Sequence, residues 1–279
     1  MIRTNLRYHR PDTPEAVRAL LSEHGDAAAV LGGGTWLLPL MHRGERTHDH
    51  VVDLKGLGLE PVVATADGFT LAATATYEDV LAHAELCAAV PVLARMAAGV
   101  TGGRQLRDQA TLAGSACYQN PSSEVPAVLV ALGATLRVHG PAGARSVPAA
   151  EFFVGAFETA LRAGEFVHSI SVPALSRDAG YVKLKLAAGG WPLATAAAWR
   201  DRVSRRAAVV LGAVQACPVE VDVTDLLGDG AVDGDALRER VAAAVTEPYG
   251  DLQADGVYRR RVAAPVALRA LRQLEGVTT

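Results

Sequence analysis

Apolar residues recur every three or four positions over Pro14–His24, near the start of the chain. This spacing places them on one face of a helix, so it predicts an amphipathic helix there. The run Ala27–Leu31 then predicts a short buried strand, and apolar residues resume from Trp36, where a second helix could start.

Three consecutive glycines, Gly32, Gly33 and Gly34, separate that strand from the second helix. Because glycine has no Cβ, the backbone can turn sharply here and expose a row of N–H groups, which suits a phosphate or diphosphate. Position 37 is a leucine, so the Gly-x-Gly-x-x-Gly fingerprint fails, and no Gly-Lys-Ser/Thr follows as in a P-loop. The glycines therefore indicate either an anion-binding turn or an ordinary strand-to-helix connection.

The middle of the chain mixes helical and extended patterns around one polar segment, residues 101–124. This segment is rich in glycine and small hydroxyl residues, and long connections of this kind commonly line a ligand because ordering them costs entropy. Apolar patterning predicts the following elements around it: strands at Val51–Leu54, Phe69–Ala73, Ala134–Val138 and Glu165–Pro173, and helices at Glu78–Ala89, Pro91–Gly99 and Val125–Leu132.

The last hundred residues have a different order of elements. Three strands are predicted at Tyr181–Leu186, Pro192–Trp199 and Ala207–Val214, and two helices follow at Asp235–Val245 and Tyr258–Leu274. Strands followed by helices are typical of an α+β unit, so this region is predicted to form a separate C-terminal domain.

The composition and the net charge exclude some classes of binding partner and predict where the protein is located. Hydrophobic residues make up 50% of the 279 positions and charged residues 20%, which is enough for a sizeable core and argues against disorder. The net charge of −3, without a basic block, argues against a nucleic-acid partner. No apolar run reaches the length of a membrane span and no apolar signal region follows the first residues, so we expect no membrane insertion and a cytoplasmic location.

Cysteine and histidine spacing gives no metal or cluster motif. Cys87, Cys117 and Cys217 are far apart and no Cys-x-x-Cys occurs, so the chain is predicted to carry neither an iron–sulfur cluster of its own nor a disulfide framework. His48 and His50 form a His-x-His pair in a polar loop, but without a third ligand such a pair is usually solvated. We therefore predict no metal site.

The two glycine-bearing segments, taken in order, resemble the flavin-binding subunit of the molybdenum hydroxylases. That family includes the medium subunit of aerobic carbon monoxide dehydrogenase and the middle domain of xanthine dehydrogenase. Its pattern Ala-Gly-Gly-Thr-x-Leu-Leu-Pro-x-Met is matched by Gly32–Met41, and its Gln-Ile-Arg-Asn-x-x-Thr-Ile-Gly-Gly-Asn by Gln105–Ser115. A following Pro-x-x-Asp is matched by Pro121–Glu124, and later matches at Phe152–Gly155 and Leu211–Val214 extend the resemblance over nearly the whole chain.

The resemblance implies an α+β fold with two domains. The first is a two-lobed FAD-binding domain of the molybdopterin dehydrogenase (PCMH) type over residues 1–175, with lobes of about 1–58 and 59–175. The second is a small α+β C-terminal domain over 176–279, with a three-stranded sheet plus helices.

The resemblance also implies that FAD lies between the first glycine turn and the second loop. The implied cofactor-binding residues are Leu31, Gly32, Gly33, Gly34, Thr35, Trp36, Ala110, Thr111, Gly114, Ser115, Tyr118, Glu124, Val167 and Lys185.

Four of these residues have more specific implied roles. The Thr35 hydroxyl donates to the diphosphate, and the Glu124 carboxylate accepts from ribityl or ribose hydroxyls. Val167 packs near the isoalloxazine. Lys185 is either a cation near the flavin, where it would favour the anionic reduced form, or a solvated lysine on a strand.

Three positions depart from the family pattern. Ser115 replaces an asparagine and so offers a hydroxyl instead of an amide. Glu124 replaces an aspartate and is one methylene longer, and Ala113 replaces a glycine. These departures bear on how tightly FAD is held.

The function implied by the resemblance is electron transfer within a complex. The chain would pass electrons from iron–sulfur clusters on a small partner subunit to an external acceptor, after a molybdopterin large subunit has oxidised the substrate. One alternative is a stand-alone flavoenzyme, which would need its own base, with Tyr118 and His168 as candidates. The other is a scaffold of the same fold that has lost the flavin.

Overall fold

The structure is a computed structural model that describes residues 5–174, 177–227 and 232–275. The strands are β1 (Arg7–His9), β2 (Ala28–Leu31), β3 (His50–Asp53), β4 (Val62–Thr65), β5 (Gly68–Ala72), β6 (Thr135–Gly140), β7 (Gly143–Pro148), β8 (Phe153–Gly155), β9 (Glu158–Thr159), β10 (Phe166–Pro173), β11 (Arg177–Lys185), β12 (Pro192–Asp201), β13 (Ala207–Gly212) and β14 (Val219–Asp222). The helices are α1 (Pro14–His24), α2 (Leu37–Arg43), α3 (Tyr77–Ala82), α4 (Ala84–Ala89), α5 (Pro91–Ala98), α6 (Gly103–Arg107), α7 (Leu112–Tyr118), α8 (Val125–Ala131), α9 (Ala149–Phe152), α10 (Gly234–Ala244) and α11 (Gly256–Arg272).

The N-terminal sheet is parallel and has the order β1-β3-β2. Helix α1 connects β1 to β2; the Thr13 side chain accepts a hydrogen bond from the Ala16 N–H at its start, and Gly25 ends it with a positive φ of 49°. The carboxyl end of β2 leads directly into the glycine turn and α2. In sheets with parallel strands, this end is where ligands usually bind.

The second sheet is antiparallel and has the order β4-β5-β10-β6-β7. The helices α3 to α8 are inserted between β5 and β6, and the sheet and helices share one hydrophobic core. Fully buried members of this core include Leu71 in β5, Leu93 in α5 and Ile170 in β10. The predicted boundary between the lobes, near residue 58, lies between this sheet and the N-terminal one, whereas residues 175 and 176, at the predicted domain boundary, lie outside the described residues.

The C-terminal sheet has four strands, in the order β11-β12-β13-β14, rather than the three predicted. The additional strand, β14, is a four-residue edge strand that pairs with β13. Its local sequence is too short to show a strand pattern, and its conformation depends on pairing with a neighbour that is already in place.

The central strands of this sheet are buried on both faces. Ala196 and Ala198 of β12 belong to a core shared with α10 and α11, while Ala197 and Trp199 belong to the core of the first domain. Because neighbouring residues of a strand point to opposite faces, the sheet lies between the helices of its own domain and those of the first domain.

Two of the segments interpreted from the sequence have a different local structure from the one predicted. The predicted helix Glu78–Ala89 is two helices, α3 and α4, because His83 is extended (φ −88°, ψ 94°) and its side chain caps α4. The polar segment 101–124 contains the two short helices α6 and α7. The Thr111 side chain caps the start of α7. Because a cap is a polar interaction, the spacing of hydrophobic residues alone does not predict it.

Candidate functional site

A cavity of about 890 Å³ opens between the carboxyl end of β2 and the start of α7. Its volume is in the upper part of the range of about 300–1,000 Å³ that is usual for small-molecule and cofactor sites. Its lining includes the residues Leu31, Gly32, Gly33, Gly34, Thr35, Trp36, Ala110, Thr111, Gly114, Ser115, Tyr118, Glu124 and Val167. Thirteen of the fourteen residues singled out from the sequence therefore lie around one space, and Lys185 is the exception.

The glycine turn is in direct contact with the second loop. A Cβ added to Gly33 would lie 1.9 Å from the backbone oxygen of Gln109, and one added to Gly32 would lie 2.9 Å from Thr111 Oγ1. Real Cβ atoms do not approach other atoms this closely. The glycines are therefore required for the two segments to meet at this end of the cavity.

The same turn offers backbone donors to the cavity. Within the described part of the chain, the N–H groups of Gly33, Gly34 and Thr35 donate no hydrogen bond to another residue. Gly34 has a φ of 72°, a conformation that is readily adopted only by glycine. A row of free N–H groups beside a cavity matches the acceptor oxygens of a diphosphate, so this donor set fits a dinucleotide cofactor.

The opposite wall is formed by the first turn of α7. Thr111 is buried, and its Oγ1 accepts a hydrogen bond of 3.0 Å from the Gly114 N–H. Ser115 Oγ accepts a hydrogen bond of 2.6 Å from the Tyr77 hydroxyl, and burial raises the pKa of Tyr77 above its ordinary value. Ser115, which departs from the family asparagine, is thus held in place by an interaction from α3.

Glu124, at the start of α8, is only 6% exposed and is held by two side chains of β11. Lys183 Nζ lies 3.0 Å from each carboxylate oxygen, and the Tyr181 hydroxyl donates to Glu124 Oε2 at 2.8 Å. Lys183 Nζ also donates to the backbone oxygen of Gly99. Burial, followed by the proximity of Glu124, holds the pKa of Tyr181 well above its ordinary value. Strand β11 therefore fixes the position of this carboxylate beside the cavity.

Lys185, for which the sequence left two environments open, is bound to Thr101, a residue of the cavity lining. Its Nζ donates to Thr101 Oγ1 at 2.6 Å and to the backbone oxygen of Ala188 at 3.1 Å. The basic residue that contacts Glu124 is Lys183. The register of β11 against β12 shifts between Leu184 and Lys185, so the two lysines do not continue one regular row along the strand.

Sequence reasoning missed several aromatic and basic residues of the lining. Trp191, which precedes β12, reaches the cavity from the C-terminal domain and is 40% exposed. Phe157 lies 5.3 Å from Tyr118, measured between ring centroids, and Tyr118 lies 4.2 Å from Trp36. Arg46 is an exposed cation in the same lining. Trp191 follows Gly189 and Gly190 between two predicted strands, and this turn pattern could have marked it.

Glu165, which immediately precedes β10, also lines the cavity and forms an ion pair with Arg145. Arg145 donates from Nε to Oε1 at 2.8 Å and from Nη2 to Oε2 at 2.7 Å, a bidentate arrangement. These bonds, with a further one from the Arg162 N–H, hold the pKa of Glu165 below its ordinary value.

We expect the substitution Arg145→Met to lower the free energy of unfolding at neutral pH, by an amount that shrinks as the solution is acidified. The pKa of Glu165 is lower in the folded than in the unfolded chain, so its contribution is present above about pH 4.3 and is lost as the pH falls through the folded value. Urea unfolding of both proteins over a pH series measures this. A stability difference that does not change with pH would assign the loss to the Arg145–Ala160 hydrogen bond instead.

The site and the fold together define a class of protein that binds a dinucleotide cofactor. The model of the family described as FAD binding domain in molybdopterin dehydrogenase matches residues 4–175. The chain belongs to this family, and it is an FAD-binding subunit of an oxidoreductase. The fold class, the cofactor and the resemblance inferred from the sequence are confirmed.

Relatives match along almost the full length of the chain. The carbon monoxide dehydrogenase medium chain of Afipia carboxidovorans is 30% identical over 97% of both chains. The glyceraldehyde dehydrogenase medium chain of Sulfolobus acidocaldarius is 28% identical over 93% of this chain and 94% of its own length. A chain of a reconstituted CO dehydrogenase from Oligotropha carboxidovorans superimposes with a TM-score of 0.90 at 29% identity, with complete coverage of both chains.

Among the described residues, no helix combines the length and the apolar character that crossing a lipid bilayer requires.

Proposed function

We propose that this chain is the electron-transfer subunit of a molybdenum hydroxylase-type complex. Its FAD would connect iron–sulfur clusters on a small partner subunit with an external acceptor, while the substrate is oxidised on a molybdopterin large subunit. FAD supplies the ability to exchange electrons singly or in pairs. The observation that carries the proposal is the cavity between the glycine turn and α7, with free N–H groups at one end and a fixed carboxylate along its wall.

The residues of this chain would bind and orient the cofactor. In this proposal the N–H groups of Gly33 to Thr35 hold the diphosphate, and the hydroxyls of Thr111 and Ser115 lie along the opposite side. Glu124 accepts from the sugar or ribityl hydroxyls with the lone pairs that Lys183 and Tyr181 leave available. These groups position the cofactor without taking part in proton transfer.

The titratable groups near the cavity favour electron transfer over a stand-alone flavoenzyme. Burial raises the pKa of Tyr118 to about 12 and that of the Cys117 thiol to about 12, so both stay protonated at neutral pH. His168, the other candidate base, stacks on His139 with a centroid distance of 4.6 Å and is not part of the cavity lining. A base poised for catalysis needs a pKa near the working pH and access to the substrate.

The names of the relatives support a role that does not depend on the substrate. Medium chains of similar sequence occur in enzymes named for carbon monoxide and for glyceraldehyde. We infer that the partner subunits select the substrate. The identity of those partners and the cytoplasmic location expected from the sequence stay predictions.

The spectrum of the purified chain, before and after addition of FAD, tests this proposal. We expect flavin absorbance at about 450 nm, no oxidation of carbon monoxide or a purine by the chain alone, and bleaching of the flavin by substrate once the partner subunits are present. Turnover by the isolated chain would instead support the stand-alone flavoenzyme. Absence of flavin absorbance after incubation with FAD would support a scaffold that has lost the cofactor.

A further inference from the structure

Three histidines from three different elements meet on the N-terminal lobe. His9 is the last residue of β1, His24 the last of α1 and His50 the first of β3. One ring nitrogen from each lies within 4.8 Å of the other two, and His9 Nε2 is 2.9 Å from His50 Nδ1. All three side chains are half-buried.

The backbone holds these side chains together. In the parallel pair of β1 and β3, Arg7 lies opposite His50, so His9, two residues after Arg7, is on the same face of the sheet as His50. The C-terminal end of α1 brings His24 over the same face, where its ring stacks on that of His50 with a centroid distance of 3.6 Å. The cluster is therefore a product of strand register and helix length, since each histidine is anchored by a separate regular element.

The arrangement matches the ligand chemistry of a late first-row divalent cation. Neutral imidazole nitrogens are preferred ligands of Zn²⁺, with Zn–N distances of about 2.0–2.1 Å, so nitrogens at a tetrahedral ion are about 3.3 Å apart. The His9–His50 separation of 2.9 Å is slightly shorter than this value, and the other separations are at most 4.8 Å.

The charged side chains near the three histidines are compatible with a bound cation. Glu23 Oε1 lies 3.9 Å from His24 Nε2 and could supply a fourth ligand, as water could. Asp49 is an acidic neighbour of His50, and Arg7 is a basic one. Glu23 and Asp49 thus place two negative charges near the cluster, and Arg7 places one positive charge there.

We propose that His9, His24 and His50 form a binding site for a divalent transition-metal ion, with Zn²⁺ as the best match. The ion ties the short edge strand β1 and the end of α1 to β3, and so stabilises the N-terminal lobe. His50 pairs with Ala28 at the start of β2, whereas the glycine turn follows the end of β2, so the site is separate from the cofactor cavity.

Zinc binding by the full-length chain tests the proposal. After treatment with a chelator and removal of the chelator, we expect one Zn²⁺ per chain by calorimetry and elemental analysis, and a higher unfolding temperature with the ion than without it. Each of the substitutions His9→Asn, His24→Asn and His50→Asn removes one ligand. We expect each to weaken binding by more than about 10-fold, the smallest effect usually seen for loss of an outer-shell partner.

His42→Asn is the matched control, because His42 is exposed on α2 and lies outside the cluster. This variant should bind zinc as the unaltered chain does. Circular dichroism and flavin content identify any variant that fails to fold, and for the folded proteins Co²⁺ should give the visible absorption of a tetrahedral nitrogen-ligated ion. Zinc binding that is absent from the unaltered chain, or that survives in the folded His24→Asn and His50→Asn variants, would overturn the proposal.

Discussion

We expect the substitution Gly33→Ala to release FAD while the two hydrophobic cores of the protein stay folded. The new Cβ would lie 1.9 Å from the Gln109 backbone oxygen, so the glycine turn and the second loop must separate. Overpacking of this kind typically costs about 1–3 kcal/mol, and here the atom that is met is backbone, which cannot rotate away. At the upper end this corresponds to binding of FAD that is about 100-fold weaker.

Flavin content and a fluorescence titration with FAD measure this effect. Gly189→Ala is the matched control, because a Cβ at Gly189 meets nothing within 4 Å, and it should leave FAD binding unchanged. Equal affinity of the Gly33→Ala variant and the unaltered chain would contradict the assignment of the turn to the diphosphate. Thermal unfolding of both variants separates loss of the site from loss of the fold.

The substitution Lys183→Met is expected to lower the free energy of unfolding by about 3 kcal/mol, at the lower end of the cost of breaking a buried ion pair. It leaves the Glu124 carboxylate, which is 6% exposed, without its cation. The lower end applies because the Lys183 side chain is itself 20% exposed and so retains some solvent. Denaturant unfolding at neutral pH measures the loss.

A double variant and an exposed ion pair provide the controls. Combining Lys183→Met with Glu124→Gln removes the unpaired charge and should recover part of the stability. Arg202→Met breaks an exposed pair with Asp178, in which the arginine side chain is 66% exposed, and should cost less than about 1 kcal/mol. If Lys183→Met lowers the free energy of unfolding no more than Arg202→Met does, the ion pair between Lys183 and Glu124 does not stabilise the fold as we expect.

Local patterns were sufficient for much of the fold. The helix Pro14–His24 was predicted with the bounds that the structure has, because its apolar spacing, its cap and the glycine after it are all local. The glycine turn was recognised for the same reason. The extra strand Val219–Asp222 was missed, because a short edge strand depends on its neighbour and not on its own sequence.

The sequence by itself, through two motifs in a fixed order that resemble those of a known family, predicted which segments would line one cavity. Only the tertiary structure decided that Lys183 and not Lys185 reaches Glu124, since a register shift in β11 separates the two lysines. It also brought His50 together with His9 and His24, which lie on two other elements. Side chains from distant elements meet through strand pairing and helix packing, and those distances are not encoded in local spacing.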